Sequence, residues 1–360
     1  MGGTAVSGGH GYSTLAKVTP PSARKVIPRK RLFRQLDQIP EGVVTWIQGP
    51  PGSGKTTLAS SYLEKARSRV LWYRVDLRDD DPARFFYYLG LAIKKVRPRS
   101  RKTLPLFTLE RQRGLSEFTS RFLDELFGLL PRPSALVLDD YHEVPEGSPV
   151  QQIVRSACQS APAGVRILIT SRAAPPPPLA RLVMNGIITT LNGDELRLTP
   201  EEVQSIVRSR LGSKAKEASN SLFRRTLGWA AGLVLLRGQP SGTTILTEAR
   251  ADSDSQVLSD YFASEILERT DTKTQNVLLK TSLLPRVSAE IAIELAGDQN
   301  ARSILEDLCG WNYFTERLGK DDPIYQYHPL FRHFLLARLE KSLPSGALKS
   351  LREQAATLLE

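Results

Sequence analysis

Cysteine is nearly absent: among 360 residues there are two, Cys158 and Cys309. A pair so sparse and so far apart builds no disulfide framework and supplies no paired metal-ligand spacing. That excludes stapled secreted domains and thiolate zinc modules, and suits a reducing compartment. Long apolar runs are also missing, none approaching the roughly 20 residues that cross a bilayer. Met1 to Ser13 is rich in Gly and small polar residues and has no apolar h-region, so it reads as a flexible tail and not as a secretory signal. Together these absences predict a soluble, cytoplasmic chain with no membrane partner.

Acids are outnumbered, 38 Asp+Glu against 49 Lys+Arg, for a formal charge of +11. The excess gathers in Lys17–Arg34, with seven basic residues and no acid, and in Lys94–Lys102, with six. Neither stretch interleaves aromatics or carries a DNA-reading motif, so both read as solvated surface. A hydrophobic content of 41% is ordinary for a globular protein, and the length suits two or three domains.

What is present is a regular alternation. Val43–Ile47, a β-branched run, and Val70–Val75, Ala135–Leu138 and Val165–Thr170 are short, mostly apolar stretches, separated by helix-like ones such as Lys55–Arg67. Continuous apolar strands alternating with helices predict a parallel sheet covered on both faces. Asp81-Pro82 opens a helix carrying Phe85, Phe86, Leu89 and Ile93. The four consecutive prolines within Ala173–Pro178 predict a loop. After Leu198 the pattern turns helical, starting at Thr199-Pro200-Glu201-Glu202, a capping Thr followed by Pro and acids. Helical character continues to Arg237, and Gln239–Thr244 reads as a linker. A further helical stretch, Ser255–Leu308, is followed by a hairpin signal, Tyr313–Arg317, a polar turn at Leu318–Asp322, and Ile324–Tyr327. A hairpin after several helices suggests a winged helix, and helical periodicity resumes at Pro329.

One motif carries specific chemistry. Gly49-Pro-Pro51-Gly52-Ser53-Gly54-Lys55-Thr56 matches G-x-x-x-x-G-K-[ST], directly after a strand and before a helix. The glycines let backbone N–H groups turn towards phosphate oxygens, and the helix N-terminus adds positive potential. Lys55 is placed for the β- and γ-phosphates, Thr56 for Mg²⁺ and Thr57 for the α-phosphate. Such a loop works with an acid at the end of another core strand, and Asp139-Asp140 supplies it. Asp139 is the expected metal partner; Asp140 is expected to orient or deprotonate the attacking water. Arg172, ending the next strand, is placed to sense the γ-phosphate. These assignments make Lys55, Asp140 and Arg172 the catalytic set.

With those residues in place the chain resembles the STAND signal-transduction ATPases, in their MalT-type branch. The likeness runs over about residues 17 to 343. It rests on Val26-Ile27-Pro28-Arg29 before the sheet, the P-loop, Asp76–Phe85, Leu138–His142, Thr170-Ser171-Arg172, Gly228-Trp229-Ala-Ala-Gly232-Leu233 and Tyr327-His328-Pro329-Leu330-Phe331-Arg332. The resemblance implies an α/β P-loop NTPase domain followed by a small helical domain and a winged-helix domain. On this chain that division gives a tail at 1–16, a nucleotide-binding domain at 17–197, a helical domain at 198–245, a winged helix at 246–343 and the start of a connecting arm at 344–360. It further implies that Val26, Ile27 and Arg29 hold adenine, and that His328 closes onto the β-phosphate of ADP. His328, one of four His, also precedes a Pro that can open a helix and can donate to a phosphate.

Ala230 departs from the Pro that many relatives carry in the helical-domain motif, and His142 reads as structural. Full-length relatives carry sensor repeats and often a DNA-binding effector. The chain is therefore expected to be the switch core of a larger regulator, binding ATP or ADP with Mg²⁺, self-associating in the ATP state and reaching DNA only through an effector outside it. Two other readings compete. An AAA+-type DNA-associated ATPase suits the charge but usually pairs the metal Asp with Glu. A small-molecule P-loop kinase gives no reason for the winged helix or for His328.

Overall fold

The four apolar runs are strands of one parallel sheet, and their side chains alternate between two buried faces. The computed structural model describes residues 16–23, 26–108, 114–211, 215–237, 251–319 and 322–358. The expected linker Gln239–Thr244 and all but the last residue of the expected tail lie outside them. The chain divides into two compact units, Met1–Gly49 with Gly54–Leu196, and Pro50–Ser53 with Arg197–Glu360.

In the first unit the order is α1 (Lys30–Gln38), β1 (Val44–Gln48), α2 (Lys55–Lys65), β2 (Arg69–Arg74), α3 (Pro82–Val96), α4 (Leu115–Leu129), β3 (Ser134–Asp139), α5 (Val150–Ser160), β4 (Val165–Ser171), α6 (Ala180–Met184) and β5 (Ile188–Leu191). The strands pair in parallel in the order β2-β3-β4-β1-β5. Trp46, Leu71, Tyr73, Leu136 and Leu138 face a core built with α3, α4 and α5. Ile47, Trp72, Ala135, Val137 and Leu168 face the opposite core, which α1 and α2 fill with Leu32, Phe33, Leu36, Leu58 and Leu63. Successive residues of a strand point to opposite faces, so burial on both sides reads as an unbroken apolar run.

Asp81 caps α3 as its sequence signature predicts, its Oδ1 accepting from Ala83 N at 2.9 Å with Pro82 at the first position. Two elements go beyond the sequence reading. β5 is a four-residue edge strand, too short to stand out from its surroundings. α4 carries Phe118, Phe122, Leu126 and Leu129 towards the core at helical spacing. The proline run leads into a single 3₁₀ turn at Pro177–Leu179.

The second unit holds α7 (Pro200–Leu211), α8 (Ala215–Thr226), α9 (Ala230–Arg237), α10 (Ala251–Glu265), α11 (Thr272–Thr281), β6 (Val287–Ser288), α12 (Ala289–Ala296), α13 (Ala301–Gly310), β7 (Thr315–Leu318), β8 (Ile324–Tyr327), α14 (Pro329–Ser342) and α15 (Ser345–Thr357). Thr199 and Glu202 form a reciprocal capping box on α7: Glu202 N donates to Thr199 Oγ1 at 3.2 Å and Thr199 N to Glu202 Oε2 at 3.0 Å. β6, β8 and β7 make a small antiparallel sheet, which with α12 and α13 forms the winged helix. Phe262, Phe331, Tyr325 and Tyr327 anchor one continuous core, and Ala355 of α15 is buried in it.

Candidate nucleotide site

The chain from β1 to α2 takes left-handed conformations at Gly52 (φ +69°) and Gly54 (φ +89°), which glycine adopts without steric cost. α2 then starts at Lys55, whose N-terminal amides face the turn. The Lys55 side chain is buried and folds back, Nζ donating to the Gly49 carbonyl at 2.7 Å. Thr57 lies exposed on the first turn of α2.

Thr56 is drawn into a polar network at the ends of β3 and β4. Its Oγ1 donates to Asp139 Oδ1 at 2.7 Å, and Thr170 Oγ1 donates to the same oxygen at 2.7 Å. Thr170 Oγ1 in turn accepts from Asp140 N at 3.0 Å. Asp139 is 2% exposed. Burial first, and the charge on Asp140 second, push its carboxyl up to about 6, against the hydrogen bonds from Thr170 and Thr56 and the charge on Arg74. A buried carboxylate beside a threonine hydroxyl is the hard oxygen set that suits Mg²⁺, so these residues fit the expected cation.

Asp140 turns sharply out of β3 in the left-handed region, φ +59° and ψ +39°. Its carboxylate accepts from Arg74 Nε at 3.0 Å. Arg172 follows β4 and is buried. Because Gln48 pairs with Ser171 and Gly49 N donates to Ser171 O at 3.2 Å, Arg172 lies beside the first residue of the loop. Lys55, Thr56, Asp139, Asp140 and Arg172 thus gather at the carboxyl edge of the sheet, where open α/β folds place their ligands. The pre-sheet residues Val26 and Ile27 are half-buried ahead of α1. Arg29 Nη1 donates to the Leu196 carbonyl at 2.7 Å, which gives this guanidinium a backbone partner within its own unit.

In the second unit the loop residues Pro50–Ser53 meet the Gly228–Leu233 motif. Trp229 Nε1 donates to Pro51 O at 2.9 Å and Ala231 N to Gly52 O at 2.9 Å. A Cβ on Gly52 would lie 2.4 Å from Ala231 Cβ. Trp229 is itself packed among Phe262, Phe314 and His328. Gly228 (φ +79°) approaches Leu198 too closely for any side chain, 2.5 Å from its carbonyl oxygen, and Leu198 N donates to Gly228 O at 2.8 Å. Each glycine of the motif is therefore a close approach, and Trp229 is the donor they position.

His328 caps α14. Its Nδ1 accepts from Leu330 N at 3.3 Å and its Nε2 lies 2.9 Å from the Thr226 carbonyl, so the ring is neutral with its proton on Nε2. Burial, the largest cause, and the charge on Arg197 push its pKa down to about 4, against the Thr226 bond. Arg332, one turn on, donates to the carbonyls of Ser282, Leu283 and Leu284 at 2.8 to 3.2 Å, closing the end of α11.

The family comparisons fall on the same parts of the chain. Residues 263–347 match the MalT winged helix domain, and residues 25–172 match the N-terminal region of nephrocystin 3. The HTH-type transcriptional regulator MalT of Cronobacter sakazakii is 28% identical over 343 residues, covering 94% of this chain and 38% of that protein. The chain carries a MalT-type winged-helix domain and is similar to MalT over nearly its whole length. The MalT of Klebsiella pneumoniae gives 28% identity over 330 residues, 90% of this chain and 36% of that protein. This MalT-like chain therefore spans under two fifths of the length of the relatives it matches. A Walker-type ATPase of Pyrococcus abyssi superposes with a TM-score of 0.56 at 13% identity, covering 88% of this chain and 98% of the other, and so shares the fold.

Two residues of this site were not singled out by motif. Thr170 lies inside the Thr-Ser-Arg run, but its link to Asp139 and Asp140 depends on β3 and β4 being neighbours. Arg74 reads as one charge near the end of an apolar strand. Only the β2–β3 register, which pairs Arg74 with Asp139, sets it beside the acidic pair.

Proposed function

We propose that this chain is the nucleotide-operated core of a cytoplasmic transcription regulator, closed on ADP at rest and opened by exchange to ATP. Opening exposes a surface for self-association, and slow ATP hydrolysis resets the switch. Sensor and effector regions lie outside the chain, and DNA is reached through the effector, in keeping with relatives named as HTH-type transcriptional regulators. The observation that supports this reading best is the Thr56–Asp139–Thr170 network at the foot of the loop.

In this reading the amides of Gly49–Gly54, including those of Gly52 and Ser53, and the ammonium of Lys55 hold the β- and γ-phosphates. Pro51 shapes the turn, and Thr57 takes the α-phosphate. Thr56 and Asp139 hold Mg²⁺, which supplies charge neutralisation on the phosphates. Val26, Ile27 and Arg29 hold adenine. Arg172 reports whether the γ-phosphate is there, and Asp140 takes the proton of the attacking water.

His328 binds the β-phosphate of ADP through Nε2–H, a bond that competes with the Thr226 carbonyl for the same proton. A ligand shifts such an equilibrium only by its differential affinity for the two states. Moving it from about 1:99 to 99:1 takes about 5.5 kcal/mol. Contacts to charged phosphate at about 1.5–3 kcal/mol each supply that with two or three bonds.

The test is to denature extensively dialysed protein and identify the released nucleotide by chromatography. Near-stoichiometric ADP from the wild type and its loss from His328→Ala support the stapled switch. An empty site in both proteins overturns it and leaves a freely exchanging ATPase.

A further inference from the structure

The residue proposed to take the proton from water is already engaged. Asp140 Oδ2 accepts from Arg74 Nε at 3.0 Å, and its backbone N–H is fixed by Thr170 Oγ1 at 3.0 Å, with φ at +59°. The backbone is therefore pinned in an uncommon conformation, and the carboxylate can turn only about its own side-chain bonds. Arg74 closes the last position of β2 and leans out over a cavity of about 590 Å³, which Asp140, Lys17, Asp76 and Tyr88 also line. Two other cations of the cavity are ion-paired: Lys17 Nζ to Asp76 and Asp79, each at 2.5 Å, and Arg84 Nε to Asp79 at 3.0 Å. Arg74 is different, its side chain 65% exposed and that of Asp140 23% exposed. A pair of this kind is a weak, solvent-screened contact that opens readily.

We propose that Arg74 is a positioning residue that holds Asp140 turned away from the attacking water and so keeps hydrolysis slow, the rate rising when the pair opens. This rests on the assignment of Asp140 made above. In the step concerned, a water oxygen bonds to the γ-phosphorus while the bond from that phosphorus to the ADP oxygen breaks. The water proton passes to Asp140, and the products are ADP and inorganic phosphate. With Nε bound to Oδ2, that oxygen is engaged and the carboxylate is drawn towards Arg74. The Arg74 side chain, 65% exposed, can leave Asp140 for the open side of the cavity.

The experiment measures ATP affinity and single-turnover hydrolysis, with Mg²⁺ present, for the wild type, Arg74→Gln, Arg74→Lys, Asp140→Asn and the double variant Arg74→Gln/Asp140→Asn. Arg74→Gln is expected to hydrolyse about two- to fivefold faster, the rate equivalent of one exposed ion pair, with ATP affinity unchanged. Arg74→Lys should fall back towards the wild-type rate, and the gain should vanish in the double variant. A damaged fold does not raise a rate, nor restore the original one on return of the charge. If Asp140→Asn slows hydrolysis but Arg74→Gln leaves it unchanged or slower, the clamp is wrong and the switch reading stands. If Asp140→Asn hydrolyses like the wild type, the assignment of Asp140 falls and the clamp falls with it.

Discussion

A histidine whose two ring nitrogens are both spent inside its own unit makes stability depend on pH. The pKa of His328 is pushed down to about 4, chiefly by burial, against an ordinary value near 6.5. The unfolded chain therefore takes up the proton first on acidification. Between pH 6.5 and 4 it binds more protons than the folded chain, so stability is full above 6.5 and falls as the pH drops, by about 3 kcal/mol over the whole shift. Urea unfolding of wild type and His328→Gln across that range should show the steeper slope in the wild type; parallel slopes would refute the assignment. Asp139 gives the opposite trade. Its charge is buried at 2% exposure beside Asp140, and removing it in Asp139→Asn should raise the melting temperature of the nucleotide-free protein, by an amount equivalent to about 1–3 kcal/mol. The same variant should lose the further rise that Mg²⁺ and ADP together give. A less stable nucleotide-free variant would mean that the hydroxyls of Thr56 and Thr170 gain more from the carboxylate than burial takes away.

α9 sets helix propensity against packing. Alanine in place of a helical glycine ordinarily stabilises by about 1 kcal/mol. At Gly232, however, a Cβ would fall 2.4 Å from Trp229 Cε3, and that indole is wedged between Phe262 and Phe314. Gly232→Ala should therefore destabilise by about 1–3 kcal/mol as the ring is displaced, visible as a lower urea midpoint and a shifted Trp229 fluorescence; a raised midpoint would show that propensity wins. The Gly-Trp-Ala-Ala-Gly spacing announced that this turn mattered. Its reason was not legible, because the indole's partner, the Pro51 carbonyl, lies 178 residues away in the sequence.

For the whole molecule, a ligand that binds only the folded chain stabilises it in proportion to the logarithm of its concentration, by about 2.7 kcal/mol at a hundredfold excess over Kd. Titrated ADP should raise the melting temperature of the wild type in that manner and leave Lys55→Ala unmoved; an equal rise in both would place the nucleotide elsewhere. Much of the architecture could be read beforehand, since strands buried on both faces write themselves as apolar runs and the loop Gly49–Thr56 has one well-known use. What escaped the reading depends on lateral neighbours: Thr170 reaching Asp139 across β4 and β3, Arg74 reaching Asp140 across β2 and β3, and β5, recognisable only by its pairing with β1. Trimming the protein meets the same long-range dependence. A piece cut at residues 16–196 would retain every letter of the phosphate loop, yet the carbonyls of Pro51 and Gly52 would face water in place of the indole of Trp229 and the amide of Ala231. Such a minimal fragment would pass any motif search and still carry a loop with its splint removed, so affinities measured on it would describe the fragment and not the whole chain.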